Sequence, residues 1–323
     1  MIVRWGLDEL PTVLAELGVD RPLLVASPRW SANDLPIRTD RVWKEVPSHR
    51  IDAATAEAAA ADVIVALGGG SAIDLAKAIS SATALPVVSI PTTYAGAEWT
   101  AFYGIRDPDR RMKGGGAGAH LAAAVYEPSL TYDLPRPESV GTAMNALAHC
   151  AEALYVKNHN EKADWEALAG ARLIAQWLPR VADGGFRREG REELLRGAMH
   201  AGAALGKSGL AVGHAMAQAL GGRYGLPHGA MNAICLPPAL RFNEPVAGDA
   251  IARFAEAIAA KRADEAVEHL ASLGAFPTRL RDWDVPDEDL PAVAAATAER
   301  AGAKANPRPA PPDAIEPLLR SVW

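Results

Sequence analysis

The chain has 323 residues, 49% hydrophobic and 22% charged, which is enough for two domains of ordinary size and unlike a disordered segment. A net charge of −6 offers no basic surface for nucleic acid or an anionic membrane, and two cysteines, Cys150 and Cys235, form no disulfide framework and suit a reducing cytosol. No apolar run nears the ~20 residues that span a bilayer, and the opening MIVRWGLDEL lacks the apolar core of a secretion signal, so a cytoplasmic location with no membrane partner is expected.

Taken in chain order, PLLVAS (22–27) reads as a short buried strand stopped at Ser-Pro. DAATAEAAAA (52–61) follows as a helix with Asp52 as its N-cap. DVIVAL (62–67) is a β-branched strand broken by Gly68–Gly70, a helix runs from Ser71 to about Ala82, and PVVSI (86–90) is the next strand. Strands separated by helices predict a parallel sheet covered on both faces. Beyond Pro135 and Pro137 the strand signal fades: residues 140–157, 162–181, 188–205, 210–220 and 249–273 all read as helices. NPRPAPP (306–312) is expected to be a surface connection before a last short helix at 314–322. The expected fold is thus an α/β dinucleotide-binding domain over residues 1–136 and an all-helical catalytic domain over 137–323. A cleft between two such domains is the usual place for a small-molecule site.

The order strand, Gly68-Gly69-Gly70-Ser71, helix has a physical use. Glycines let the backbone approach an anion, and the helix start offers unpaired N–H groups and a positive dipole end. A GGGS alone is as readily a tight strand-to-helix turn. Its continuation says more: Asp74 and Lys77 share a helix face three residues apart, and a strand ends in Pro91-Thr92-Thr93, whose hydroxyls suit pyrophosphate or ribose oxygens. Together these predict a dinucleotide held by Gly68, Gly69, Gly70, Ser71, Asp74, Thr92 and Thr93.

LGGGSAIDLAKAIS and PTTYAGAEWT resemble the superfamily of iron-type alcohol dehydrogenases, glycerol dehydrogenases and dehydroquinate synthases, and the resemblance runs over nearly the whole chain. It implies NAD(P) across the glycine loop and the two threonines, with Lys113 near the nicotinamide ribose. Members that prefer NAD often carry Asp at the end of the early strand. This chain has Ser27 and Pro28 there, followed by Arg29, so NADH and NADPH are both expected to serve.

In the helical part Asn145 and His149 stand four apart and face the same way, and His214 and His228 come later. A single histidine is more often packed than functional, but the set resembles the metal constellation of iron-type alcohol dehydrogenases. A metal, if bound, would take His149, His214 and His228, with Asn145 in place of that family's Asp. The neutral amide removes a charge partner for a hard cation, and Gln218 replaces a further histidine of many metal-dependent members. Three imidazoles can still hold zinc, but the expectation is that no metal is required.

MNALAH, the tyrosine of PTTYAG, the late NPRP and the terminal Trp323 are similar to maleylacetate reductases. Those enzymes reduce the enone of maleylacetate to 3-oxoadipate, late in aromatic ring breakdown, and work without metal. Ala211–His214 departs from their paired-histidine segment and looks more like an alcohol dehydrogenase. The shortened stretch between Arg41 and Ile51 suggests a trimmed family member. The resemblance also implies a homodimer. The expected catalytic set is His149, His214 and His228 as donors, with Tyr94 binding a carboxylate or carbonyl of a carboxylate substrate, or simply packing at the strand's end. Arg241 is placed at the mouth of the site. The alternatives are a metal-dependent alcohol or aldehyde dehydrogenase, a biosynthetic reductase, a lyase like dehydroquinate synthase, whose set of substrate-binding lysines and arginines is not evident here, and a dinucleotide-binding protein without catalysis, against which the three histidines stand.

Overall fold

The computed structural model describes residues 1–185 and 187–323, and these group into two compact units, Met1–Asp133 and Leu134–Trp323. The first unit is α/β. Its strands are β1 (Ile2–Trp5), β2 (Pro22–Ala26), β3 (Val42–Trp43), β4 (Val63–Gly68), β5 (Pro86–Pro91), β6 (Tyr103–Arg106), β7 (Met112–Gly116) and β8 (His120–Tyr126), and its helices are α1 (Leu10–Leu17), α2 (Ile51–Glu57) and α3 (Gly70–Thr83). Six strands form one all-parallel sheet in the order β1-β8-β5-β4-β2-β3.

The two-residue period of a strand explains why β4 is buried throughout. Val63, Val65 and Leu67 pack on one face with Leu10, Val13 and Leu14 of α1. Ile64 and Ala66 pack on the other with Ala54 of α2 and Ile73, Ala76 and Ile79 of α3. A separate antiparallel hairpin, β6 and β7, was not expected; its MKGGG strand is nearly all exposed, so no apolar pattern announces it. Asp52 is not the N-cap of α2 as expected: it sits in the first turn, and Arg50 precedes the helix without a side-chain cap.

The second unit is helical: α4 (Arg136–Ala153), α5 (Glu161–Ala182), α6 (Arg187–Lys207), α7 (Val212–Tyr224), α8 (His228–Ala257), α9 (Ala263–Ser272), α10 (Leu290–Ala298), α11 (Ala301–Ala305) and α12 (Pro312–Ser321). One core joins Val212, Met216 and Leu220 of α7 to Met231 and Cys235 of α8, Val293 of α10 and Leu319 of α12. The helix expected over 249–273 is two: α8 ends at Ala257, and Ala259, at φ 54°, turns the chain before α9. The start of α8, through three internal prolines, gave no helical signal because Pro is an expected breaker. NPRPAPP is not simply a surface connection, since Asn306 is fully buried.

Candidate active site

In the first unit, β2 leads outward to β3 on one side, whereas β4 leads to β5 and β8 on the other. The direction of winding therefore reverses between β2 and β4, and in open α/β sheets the crevice at the carboxyl ends of such strands is where ligands sit. Those ends carry Ser27 and Gly68. Ser27 N–H donates to Leu67 O at 3.1 Å, and Thr92 N–H donates to Gly68 O at 3.0 Å, so Ser27, Gly68 and Thr92 lie side by side. Pro28 follows in the turn after β2.

Gly69 precedes α3, which begins without a side-chain cap, so its first N–H groups are left for an anion. A Cβ on Gly69 would stand 2.9 Å from Thr93 Cγ2, and one on Gly68 would run into the Ser27 hydroxyl and Ala72 Cβ. The cradle is therefore shaped by the absence of side chains at Gly68 and Gly69, with Ser71 in the first turn of α3. A pyrophosphate fits this cradle.

Other expected cofactor residues are committed within the unit. Asp74 pairs with buried Lys77 at 2.7 Å and accepts from Gly104 N–H at 3.1 Å, which ties α3 to β6. Lys77 Nζ also donates to the carbonyls of Ala97 and Phe102. Lys113 pairs with Asp107 at 2.9 Å across the β6–β7 hairpin. Arg29 lies over the Trp30 ring, 5.0 Å from its centroid. Tyr94 is fully buried. Near it in sequence, Glu98 is buried and accepts from the Tyr126 hydroxyl at 2.8 Å. Burial raises the Glu98 carboxyl above the ordinary range, against the opposing pull of the Tyr126 hydrogen bond and the Lys77 charge.

In the second unit, α4, α7 and α8 bring the three histidines together. The His149 and His214 rings stack with centroids 4.7 Å apart, and His228 lies 6.1 Å from His214. His149 and His214 are buried, and His149 Nδ1 and His214 Nε2 have no hydrogen-bond partner. Burial pushes His149 well below the ordinary imidazole range, and its neighbours His214 and His228 add to the effect.

Two residues that sequence reading missed hold the cluster. Glu152, fully buried on α4, accepts from His214 Nδ1 at 2.7 Å and from the backbone N–H groups of Ala211 and His214 at 2.7 and 3.1 Å. Asn232, one turn after His228, donates from Nδ2 to Asn145 Oδ1 at 2.7 Å and to His228 Nε2 at 3.1 Å. An amide nitrogen has no lone pair to offer, so His228 Nε2 is the acceptor and Nδ1 carries the proton. The available signal was spacing: Glu152 falls three residues after His149, and Asn232 four after His228, which puts each pair on one helix face.

Behind them, Asn243 and Asn306 exchange amide hydrogen bonds at 2.7 and 3.0 Å, and Asn306 Oδ1 also accepts from Val212 N–H at 3.3 Å. Asn306 and Glu152 thus satisfy the opening N–H groups of α7, which carries His214. Arg241 does not reach out to a site mouth; it is held by Asp264 and Glu268 of α9 at 3.1 and 2.9 Å.

The donors match a metal centre only in part: His149, His214 and His228 lie together, whereas Asn145 brings a neutral amide whose oxygen is already engaged. What the cluster offers is a mostly buried patch of imidazole and amide groups that can donate or accept a proton.

The family models for iron-containing alcohol dehydrogenase and for the C-terminal region of the Fe-containing alcohol dehydrogenase family match residues 3–126 and 139–323. A maleylacetate reductase of Pseudomonas sp. (strain P51) is 33% identical, covering 98% of this chain and 93% of the relative. The crystal structure of an iron-containing alcohol dehydrogenase from Corynebacterium glutamicum superposes with a TM-score of 0.90 at 31% identity, over 100% of this chain and 94% of its own. That of a maleylacetate reductase from Rhizobium sp. gives 0.89 at 30% identity, over 100% and 95%. Among the described residues no helix is long and apolar enough to cross a membrane.

Proposed function

The chain belongs to the iron-containing alcohol dehydrogenase family and is an oxidoreductase, and from that premise we propose that it is an NAD(P)H-dependent reductase of an unsaturated keto acid, maleylacetate or a close analogue. The observation that carries this reading is the neutral Asn145, held by Asn232, beside three imidazoles in a chain 33% identical to a maleylacetate reductase. A small carboxylate substrate, a cytoplasmic location and a homodimer go with it.

Gly68–Ser71, with Thr92 and Thr93 beside them, would hold the reduced dinucleotide, which would supply the hydride for the carbon conjugated with the substrate's carbonyl. The rest falls to the side chains of α4, α7 and α8. Addition of hydride leaves an enolate, whose growing oxygen charge is stabilised by N–H donors in a site shielded from water. His228 Nδ1–H is such a donor in the neutral ring. A proton delivered to the adjacent carbon then completes saturation of the double bond, and an imidazole is suited to deliver it near neutral pH. His149, kept neutral by burial, serves as packing partner and donor.

The test is metal content of the purified protein together with NADH and NADPH oxidation on maleylacetate, before and after chelation. Little metal, chelator-insensitive turnover, and NADH favoured by less than about a hundredfold (~2.7 kcal/mol) support the reading. Stoichiometric zinc or iron with no turnover of maleylacetate moves the assignment to a metal-dependent alcohol or aldehyde dehydrogenase of the same family.

A further inference from the structure

His214 differs from its two neighbours in what stands behind it. The Glu152 carboxylate is fully buried, and each of its oxygens already accepts a backbone N–H, Oε2 from Ala211 and Oε1 from His214. With both oxygens already accepting N–H groups, the geometry makes its third contact, 2.7 Å from His214 Nδ1, a third N–H accepted. Nδ1 therefore carries the ring proton, and the lone pair lies on Nε2. That atom is buried, has no hydrogen-bond partner, and belongs to the ring that stacks on His149 and faces His228.

The same carboxylate ties the ring to the backbone at the start of α7. Ring and helix end are thus fixed together, and a turn of the imidazole would take the buried Nδ1 away from its acceptor. For His228 the partner is the amide of Asn232, which puts its bare nitrogen at Nε2, bonded, and its proton on Nδ1. The two facing imidazoles therefore carry opposite polarity: one is held as a donor, the other with an open lone pair.

We propose that Glu152 is a positioning residue: it locks His214 in the Nδ1–H tautomer and makes Nε2 the atom through which the site exchanges its proton with substrate. The catalytic consequence rests on the reductase reading above, whereas the tautomer does not. In each turnover the bare Nε2 of His214 first takes a proton from solvent, and the imidazolium so formed gives that proton to the substrate carbon, while the Nδ1–H bond to Glu152 stays intact.

The experiment begins with the wild-type holoenzyme labelled with ¹⁵N-histidine. The His214 signals, assigned by their loss in His214→Asn, are expected to show a protonated Nδ1 and a bare Nε2. A protonated Nε2 with a bare Nδ1 overturns the proposal. Turnover is then measured in a double-mutant cycle. Glu152→Gln is expected to lower kcat on the order of a hundredfold or more with KM for the dinucleotide little changed, and to cost less than about threefold further in a His214→Asn background. An equal loss in both backgrounds overturns the positioning role. If wild-type protein does not turn over maleylacetate, the reductase reading fails and the nitrogen signals still decide the tautomer. They also decide it if Glu152→Gln does not fold.

Discussion

The glycine cradle of the first unit and the histidine cluster of the second are built on opposite plans. At Gly68–Ser71 the groups offered to a ligand are backbone N–H groups, contributed by one short stretch of chain and shaped by missing side chains. In the cluster the groups are imidazoles and amides from α4, α7 and α8, and His214, His228 and Asn145 are each oriented by a buried partner, Glu152 or Asn232. A site made of backbone is broken by adding an atom. One made of oriented side chains is broken by removing an atom, often one that never meets the substrate.

The largest test of that contrast removes a ring. His214→Ala is expected to lower turnover about 10²- to 10⁴-fold while the affinity for NADH, measured by fluorescence titration, stays as in wild type. Equal losses in both would mean that cradle and cluster are not separable. The converse change is Gly69→Val, which places carbon against Thr93. It is expected to weaken NADH binding about a hundredfold, or ~2.7 kcal/mol, with no change in the cluster's histidine NMR signals. Unaltered affinity would remove Gly69 from the nucleotide site.

Next in size is Asn232→Leu. It takes the donor from both Asn145 and His228 and is expected to cost about 1–3 kcal/mol in denaturant unfolding together with a loss of turnover. Wild-type stability and rate would show that the amide is idle.

The smallest effects are in pH dependence, where the two regions should carry opposite signs. Burial raises Glu98 in the first unit, so the folded protein keeps a proton that the unfolded chain gives up. Its favourable contribution is complete below the ordinary carboxyl range and is lost as pH rises through the folded value. Glu98→Gln is expected to raise Tm modestly in mildly alkaline buffer and to leave it unchanged in acid. Burial lowers His149 in the second unit, so its contribution is present above the ordinary imidazole range and fades as pH falls. His149→Asn is expected to make the Tm less sensitive to mild acid. Parallel pH profiles in the two variants would contradict these assignments.

The same contrast sets what could be read in the sequence. Strands β2, β4 and β5 and helix α3 were legible because apolar runs, glycine breaks and helix formers are local signals, and the parallel pairing of the sheet followed from their alternation. The hairpin of β6 and β7 was not, because its MKGGG strand has neither an apolar face nor β-branched residues. In the helical unit the three histidines and Asn145 stood out by type, and resemblance suggested that they belong together. Their supports did not stand out. A glutamate three residues after a histidine looks like a solvated helix position, and only the packing of α7 against α4 turns Glu152 into a buried acceptor of three N–H groups. Asn306 was hidden differently: its place in a proline-rich stretch signals a loop, and its burial depends on Asn243, 63 residues earlier in the chain.

That amide pair also has a consequence for how the protein is made. Asn306 caps the Val212 N–H across 94 residues of sequence. On the ribosome the helix bearing His214 therefore emerges long before the side chain that completes its first turn. Its Val212 N–H must be served by water in the interval, and a nascent chain halted before residue 306 would hold the histidines without the last clasp on α7.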